Sequence, residues 1–371
     1  MQRSRPPFRA DHVGSLVRPP ELVQARADYK AGKKTAAELR AVEDAAIKDA
    51  VRLQQEVGLE SVTDGEFRRT FWHLDFYKGI AGFTDTGGKN KVPFHNKAGD
   101  VPVEVDDVRV TGKLHLDKVV FGEDFKFLQS VADGATPKLT IPSPSVLHRR
   151  MASSFIDEAA YDEMDRFWED LSEAYRQEVV GLGKMGCTYL QIDDTSFATV
   201  CDPEQREHIT KMGGDGEHAH EIYIALINDA VGARPDGMSI TVHTCRGNYK
   251  GGWFAEGGYD YIAEAMFNEL NVDGFFLEYD DERAGGFEPL RFMPKDKIAV
   301  LGLLTTKSAA LEAKDDILRR IDEAAKVLPL EQLCLSPQCG FASVVDGNTG
   351  GIAEEKAKLE LIVEIANEVW G

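Results

Sequence analysis

The stretch YDEMDRFWEDLSEAYRQEVVGLGKMGCTYLQIDD, residues 161–194, holds a helix and a strand with almost nothing between them. Apolar residues recur at helical intervals through 161–186, and Gly186 supplies the stop. The run CTYLQIDD (187–194) then turns apolar and ends on two carboxylates, as a strand whose tip carries chemistry would. The same unit recurs on both sides of it. Strands are predicted at 8–15, 59–66, 138–144, 238–245, 272–280, 298–305 and 332–339. Helices are predicted at 37–58, around 217–232 and 259–270, at 312–328, and from 353 onward. Eight strands, apolar on both faces and mostly followed by helices, predict an α/β fold, a closed (β/α)8 TIM barrel spanning 1–371 as a single domain. An open doubly wound sheet is the alternative, but no G-x-G-x-x-G follows the first strand. Residues 81–121 break the alternation. VPVEVDDVRVTGKLHL alternates with period two, so an inserted β-hairpin over the barrel mouth is expected, turning at Thr111-Gly112.

Composition narrows the partners. The 371 residues carry a formal charge of −20 and 43% are hydrophobic, with mean hydropathy −0.31 and an isoelectric point near 4.9. Such a surface repels nucleic acid and anionic lipid, and neither is expected as a partner. No apolar run is long enough to span a bilayer, and the N-terminus lacks the apolar core of a signal peptide. Five widely spaced cysteines are not a disulfide framework. A cytoplasmic location with free thiols is therefore expected.

Barrel chemistry sits at the C-terminal strand ends. Those ends carry Ser15, Asp64 and Glu66, Asp193 and Asp194, His243 and Cys245, Glu278, and Cys339. Residues two apart on a strand share a face, so His243 and Cys245 can both aim into the mouth. Glu278 and Cys339 are placed to complete a tetrahedral set suited to Zn²⁺. Each residue also has a plainer reading. A cysteine is often a small buried hydrophobe. Asp194 could merely cap the next helix. Glu278 could be a rim carboxylate held by Arg283, and Lys307 an exposed residue at an ordinary strand end. His73, His95, His115, His208 and His218 read as surface or packing residues. His12 and His148 fall near strand ends.

The stretches HVGSLVRPPEL, VTDGEFRR, LQIDD, VHTCRGN, FFLEYD and LSPQCGFAS together resemble the cobalamin-independent methionine synthase family, over that family's C-terminal catalytic barrel. The resemblance implies a zinc site at His243, Cys245, Glu278 and Cys339, with Glu278 the ligand that loosens when a thiol arrives. It implies homocysteine held at Ser15, Glu66 and Asp193, where two carboxylates suit an ammonium group. Zinc lowers the pKa of the thiol, and the thiolate attacks a methyl group. The chain departs from the family at LTTKS, where Lys307 and Thr305 replace a histidine and an aspartate tied to protonating the folate leaving group. An amine of ordinary pKa, about 10.4, is a poor acid at neutral pH. The methyl donor is thus open: folate, a methylated corrinoid protein or a small methylated molecule. Two other functions compete, thiol alkylation of the epoxyalkane–coenzyme M transferase type and a non-catalytic zinc-binding barrel. A homodimer is allowed for.

Overall fold

A computed structural model describes residues 1–96, 99–148, 155–342, 344 and 350–371. Its strands are β1 (Ser61–Val62), β2 (Ala81–Asn96), β3 (Gly99–His115), β4 (Thr136–Pro142), β5 (Tyr189–Asp194), β6 (Ser239–Thr244), β7 (Gly274–Glu278), β8 (Ile298–Leu304) and β9 (Leu333–Pro337). Seven of them form one parallel sheet in the order β1-β4-β5-β6-β7-β8-β9. Each neighbour follows the last in sequence, which is the order of a singly wound barrel.

The eighth stave is the segment expected as the first strand. It lies between the two edges of the sheet. The Asp11 and Leu335 N–H groups donate to Leu335 and Arg9 carbonyls across β9 (3.0 and 2.9 Å), and Leu16 N–H donates to Gly65 O beyond β1 (3.1 Å). Its only pairing with a strand among the described residues is the isolated bridge Ala10–Leu335, not a ladder. The cause is local. The Asp11 carboxylate accepts from the Phe8 and His12 N–H groups (3.2 and 2.8 Å), which competes with regular strand geometry.

The helix Met164–Lys184 shows why the alternation forms. It buries Phe167, Leu171, Ala174, Tyr175, Val179 and Leu182. That stripe, spaced three and four apart, can be satisfied only against the sheet and its neighbouring helices. Directly after it, all six residues of β5 are buried. No helix among the described residues is long and apolar enough to cross a membrane.

The insertion is a hairpin of β2 and β3, but its turn is not at Thr111-Gly112. Asn96 pairs with Gly99, so the connection falls at 97–98, outside the described residues. Thr111 and Gly112 lie inside β3, where Thr111 Oγ1 meets Thr84 Oγ1 at 2.7 Å. Gly112 resembles a turn residue in sequence, yet it serves close approach. A Cβ on the facing Gly82, whose φ is 95°, would lie 2.7 Å from Gly112 O. Paired backbone bonds between His95 and Trp253, 2.8 Å in each direction, tie the hairpin to the loop after β6.

Candidate metal centre and substrate pocket

Parallel register sets the tips of the staves side by side. Asp193 on β5 pairs with His243 on β6, and Glu278 on β7 pairs with Gly302 on β8. Cys245 follows the end of β6, and Cys339 follows the end of β9. One ligand atom from each of His243, Cys245, Glu278 and Cys339 lies within 4.8 Å of the others. The two sulfurs are 3.4 Å apart, and both cysteines are free thiols. Loops hold them there. Asn248 donates to Thr306 Oγ1 and Gly340 O, both at 2.8 Å, joining the loops after β6, β8 and β9.

The donor set fits a divalent cation. Both ring nitrogens of His243 are buried without a hydrogen-bond partner, a costly state that a metal would relieve. The Cys245 thiol is pushed well up by its hydrogen bond with Cys339 and by burial. Cys339 is pulled well down by that same bond, against burial, with His243 and Lys307 helping. The pair thus shares a proton that a soft cation would displace. Imidazole, two sulfurs and one carboxylate match zinc.

Glu278 has no exposed surface. Its Oε1 accepts from Arg246 N–H at 2.8 Å, and its Oε2 faces Lys307 Nζ at 3.4 Å. The expected holder, Arg283, instead pairs with Asp281 and stacks 4.1 Å from the Trp253 ring centroid. Lys307 is not exposed either. It lies between Glu278 and Asp280, 3.4 Å from each. Burial pulls its pKa down, but those two carboxylates outweigh burial and the net shift is upward.

A cavity of about 480 Å³ opens above the cluster, with Ser15, Glu66, Asp193, His243, Cys245 and Cys339 among its lining. Glu66 holds a left-handed backbone, φ 59°, a strain that a non-glycine residue bears only where its surroundings enforce it. Asp64 Oδ1 accepts the Glu66 N–H at 2.9 Å and Arg18 donates to its carbonyl at 3.0 Å. The Glu66 side chain takes Thr140 Oγ1 on Oε1 at 2.9 Å, leaving Oε2 buried and unpartnered. Burial pushes its pKa up. Asp193 accepts from Gln191 at 2.6 Å. Burial pushes it up to about 7, with His243 pulling down and Glu66 adding to the rise. Arg69 Nη1 lies 3.7 Å from Glu66 Oε1 and offsets part of that carboxylate's burial. Ser15 packs so closely against Gly340 that a Cβ there would lie 2.0 Å from its Oγ. Asp194 Oδ1 accepts the Phe197 N–H at 2.8 Å, in the first turn of the helix Ser196–Cys201, and its Oδ2 accepts from Ser145 Oγ.

Sequence reasoning missed the upper walls. His73 and His208, read as surface or packing residues, line the cavity, as do Trp72 and Phe71. The hairpin contributes Val92, Phe94, Val103 and Val105, and the loop after β6 adds Tyr249 and Phe254. Only the alternating apolar face of 101–116 hinted at this. The His148 side chain and Ser343 of LSPQCGFAS lie outside the described residues.

Residues 8–368 match the model of the cobalamin-independent synthase catalytic domain. An uncharacterized Bacillus subtilis protein, YxjH, is 45% identical over 370 residues, covering 100% of this chain and 96% of its own. The crystal structure of a putative vitamin-B12-independent methionine synthase from Listeria monocytogenes superposes with a TM-score of 0.80 at 38% identity, covering 100% of both chains. A B12-independent methionine synthase from Shewanella sp. W3-18-1, solved with selenomethionine, gives a TM-score of 0.73 at 19% identity over 97% of each chain.

Proposed function

Because the chain belongs to the family of the cobalamin-independent synthase catalytic domain, we propose that it is a zinc-dependent methyltransferase. It transfers a methyl group to the thiol of homocysteine, or a close analogue, giving methionine or the matching thioether. The observation that carries this reading is the convergence of His243, Cys245, Glu278 and Cys339 within 4.8 Å, beneath a cavity whose lining includes Glu66 and Asp193. Zinc bound there would lower the pKa of the substrate thiol. The chain's own residues do the rest. Glu66 and Asp193 take the substrate ammonium, which restores the charge that burial penalises in both. Ser15 takes the substrate carboxylate. Both oxygens of Glu278 already have protein partners, so it is the ligand whose release costs least. Lys307 acts as the cation that receives Glu278, not as a proton donor. The related Shewanella protein was solved with selenomethionine, a product-like amino acid that fits the same assignment. The family match over 8–368 supports reading 1–371 as one catalytic unit, and free thiols suit the cytoplasm.

The coenzyme M reading needs a basic clamp for a sulfonate. Arg18 is spent on four backbone carbonyls, and the Arg246 guanidinium lies 4.5 Å from the Tyr259 ring centroid. A structural zinc site would be closed by Cys and His, whereas this one includes a carboxylate and borders a cavity. Elemental analysis for zinc, followed by turnover of homocysteine against a panel of methyl donors, tests the proposal. About one zinc per chain and a methionine product are expected. A metal-free protein that neither binds nor methylates homocysteine would overturn it.

A further inference from the structure

The walls above the metal cluster say which class of donor the cavity takes. Phe94 of the hairpin stands 6.0 Å, centroid to centroid, from both Tyr249 and Phe254. Phe71 and Trp72 also line the cavity, with the His73 ring 4.5 Å from Trp72. The remaining hairpin lining is valine, apart from Lys91. With Glu66 and Asp193 given to the substrate ammonium, Glu204 is the lining carboxylate left over, beside Lys91 on the exposed strand and Arg246 against the Tyr259 ring. The chain carries −20 overall. The ring faces suit a compact organic cation, in a chain whose net charge is negative.

We propose that the aromatic chamber receives an onium methyl donor, a sulfonium or quaternary ammonium compound, as second substrate. The proposal rests on reading the site as methyl transfer to a thiol. The thiol gives up its proton to solvent, and its sulfur lone pair forms the new S–CH3 bond. The electron pair of the broken CH3–S⁺ or CH3–N⁺ bond stays on the donor, which leaves as a neutral thioether or a tertiary amine. No acid is needed, which matches the placement of Lys307: it is held by Glu278 and Asp280 and is not among the lining residues. A reduced-folate donor would leave as an amine in need of a proton. His73 and His208 also line the cavity, so folate turnover is the competing outcome.

Calorimetry on the zinc-loaded enzyme tests this with choline and its uncharged isostere 3,3-dimethylbutanol. Choline is expected to bind about fivefold tighter or more, the range of a cation over ring faces. Phe94→Leu, and separately Trp72→Leu, should erase that preference while zinc content and homocysteine affinity hold. Trimethylsulfonium with homocysteine should give methionine and dimethyl sulfide in equal amounts. Equal binding of the two isosteres, or turnover with 5-methyltetrahydrofolate but not with the sulfonium, would overturn the onium assignment. Loss of zinc or homocysteine binding in the unaltered enzyme would instead fault the reading beneath it.

Discussion

At the scale of single residues, the metal site and a remote carboxylate make different demands. Removing one sulfur from the cluster leaves three donors and an open face. Cys339→Ser and Cys245→Ser should each lower zinc occupancy by roughly 10-fold or more at limiting metal, read by elemental analysis after dialysis. Full stoichiometric zinc in both would sink the ligand assignment. Glu355 poses a pH question. It is buried, accepts the Val17 N–H at 2.7 Å, and burial pushes it up to about 8. A carboxyl whose folded pKa exceeds its unfolded value binds more protons when folded, so its contribution to stability declines as pH rises from about 4.3 toward 8. Glu355→Gln should therefore gain on the parent protein steadily from pH 5 to 8 in denaturant melts; a constant difference would refute the buried titration. The convergence of His243, Cys245, Glu278 and Cys339 was legible because all four fall at strand tips, where the barrel concentrates chemistry. Asp280, the second carboxylate on Lys307, was not legible: beyond a strand end, sequence gives no direction to a side chain.

Among elements, the hairpin shows where pattern reading fails. Its second strand alternates visibly, but its first, AGFTDTGGKNKVPFHN, is full of residues that usually mark turns. The register shifts between Ala81 and Phe83 and again between Asp85 and Lys89 absorb them. Gly82 sits at the first shift with φ 95°, facing the Gly112 and Lys113 carbonyls, each 2.7 Å from where a Cβ would be. Gly82→Ala should cost about 1–3 kcal/mol and expose the hairpin to limited proteolysis before the barrel. Unchanged thermal stability and protease resistance would show that the crossing is not tight. The barrel staves were legible for the opposite reason, since a buried parallel strand between amphipathic helices leaves few alternative readings. The first stave reads as a strand by its apolar residues. It pairs as an isolated bridge because the Asp11 carboxylate captures nearby N–H groups, a choice that hydropathy does not encode.

For the whole molecule, the four candidate ligands come from three staves whose tips are distant in sequence, so an ion held by them would act as a clasp across the barrel mouth. A ligand that binds only the folded state stabilises it by about 2.7 kcal/mol at a hundredfold excess over its dissociation constant. For a chain of this size that is a melting shift of roughly a few degrees. The shift should itself depend on pH. In the metal-free pair, Cys245 holds its proton well above the ordinary thiol range because Cys339 and burial oppose a second thiolate. Zinc must displace that proton, so acidification strengthens the competitor. Zinc affinity, followed by competition with a chromophoric chelator, should therefore fall about tenfold per pH unit for each proton displaced between pH 8 and 6. The zinc-induced rise in melting temperature should shrink in parallel. Affinity that stays level across that window would mean that no proton leaves the sulfurs, and that the cation is not held by both.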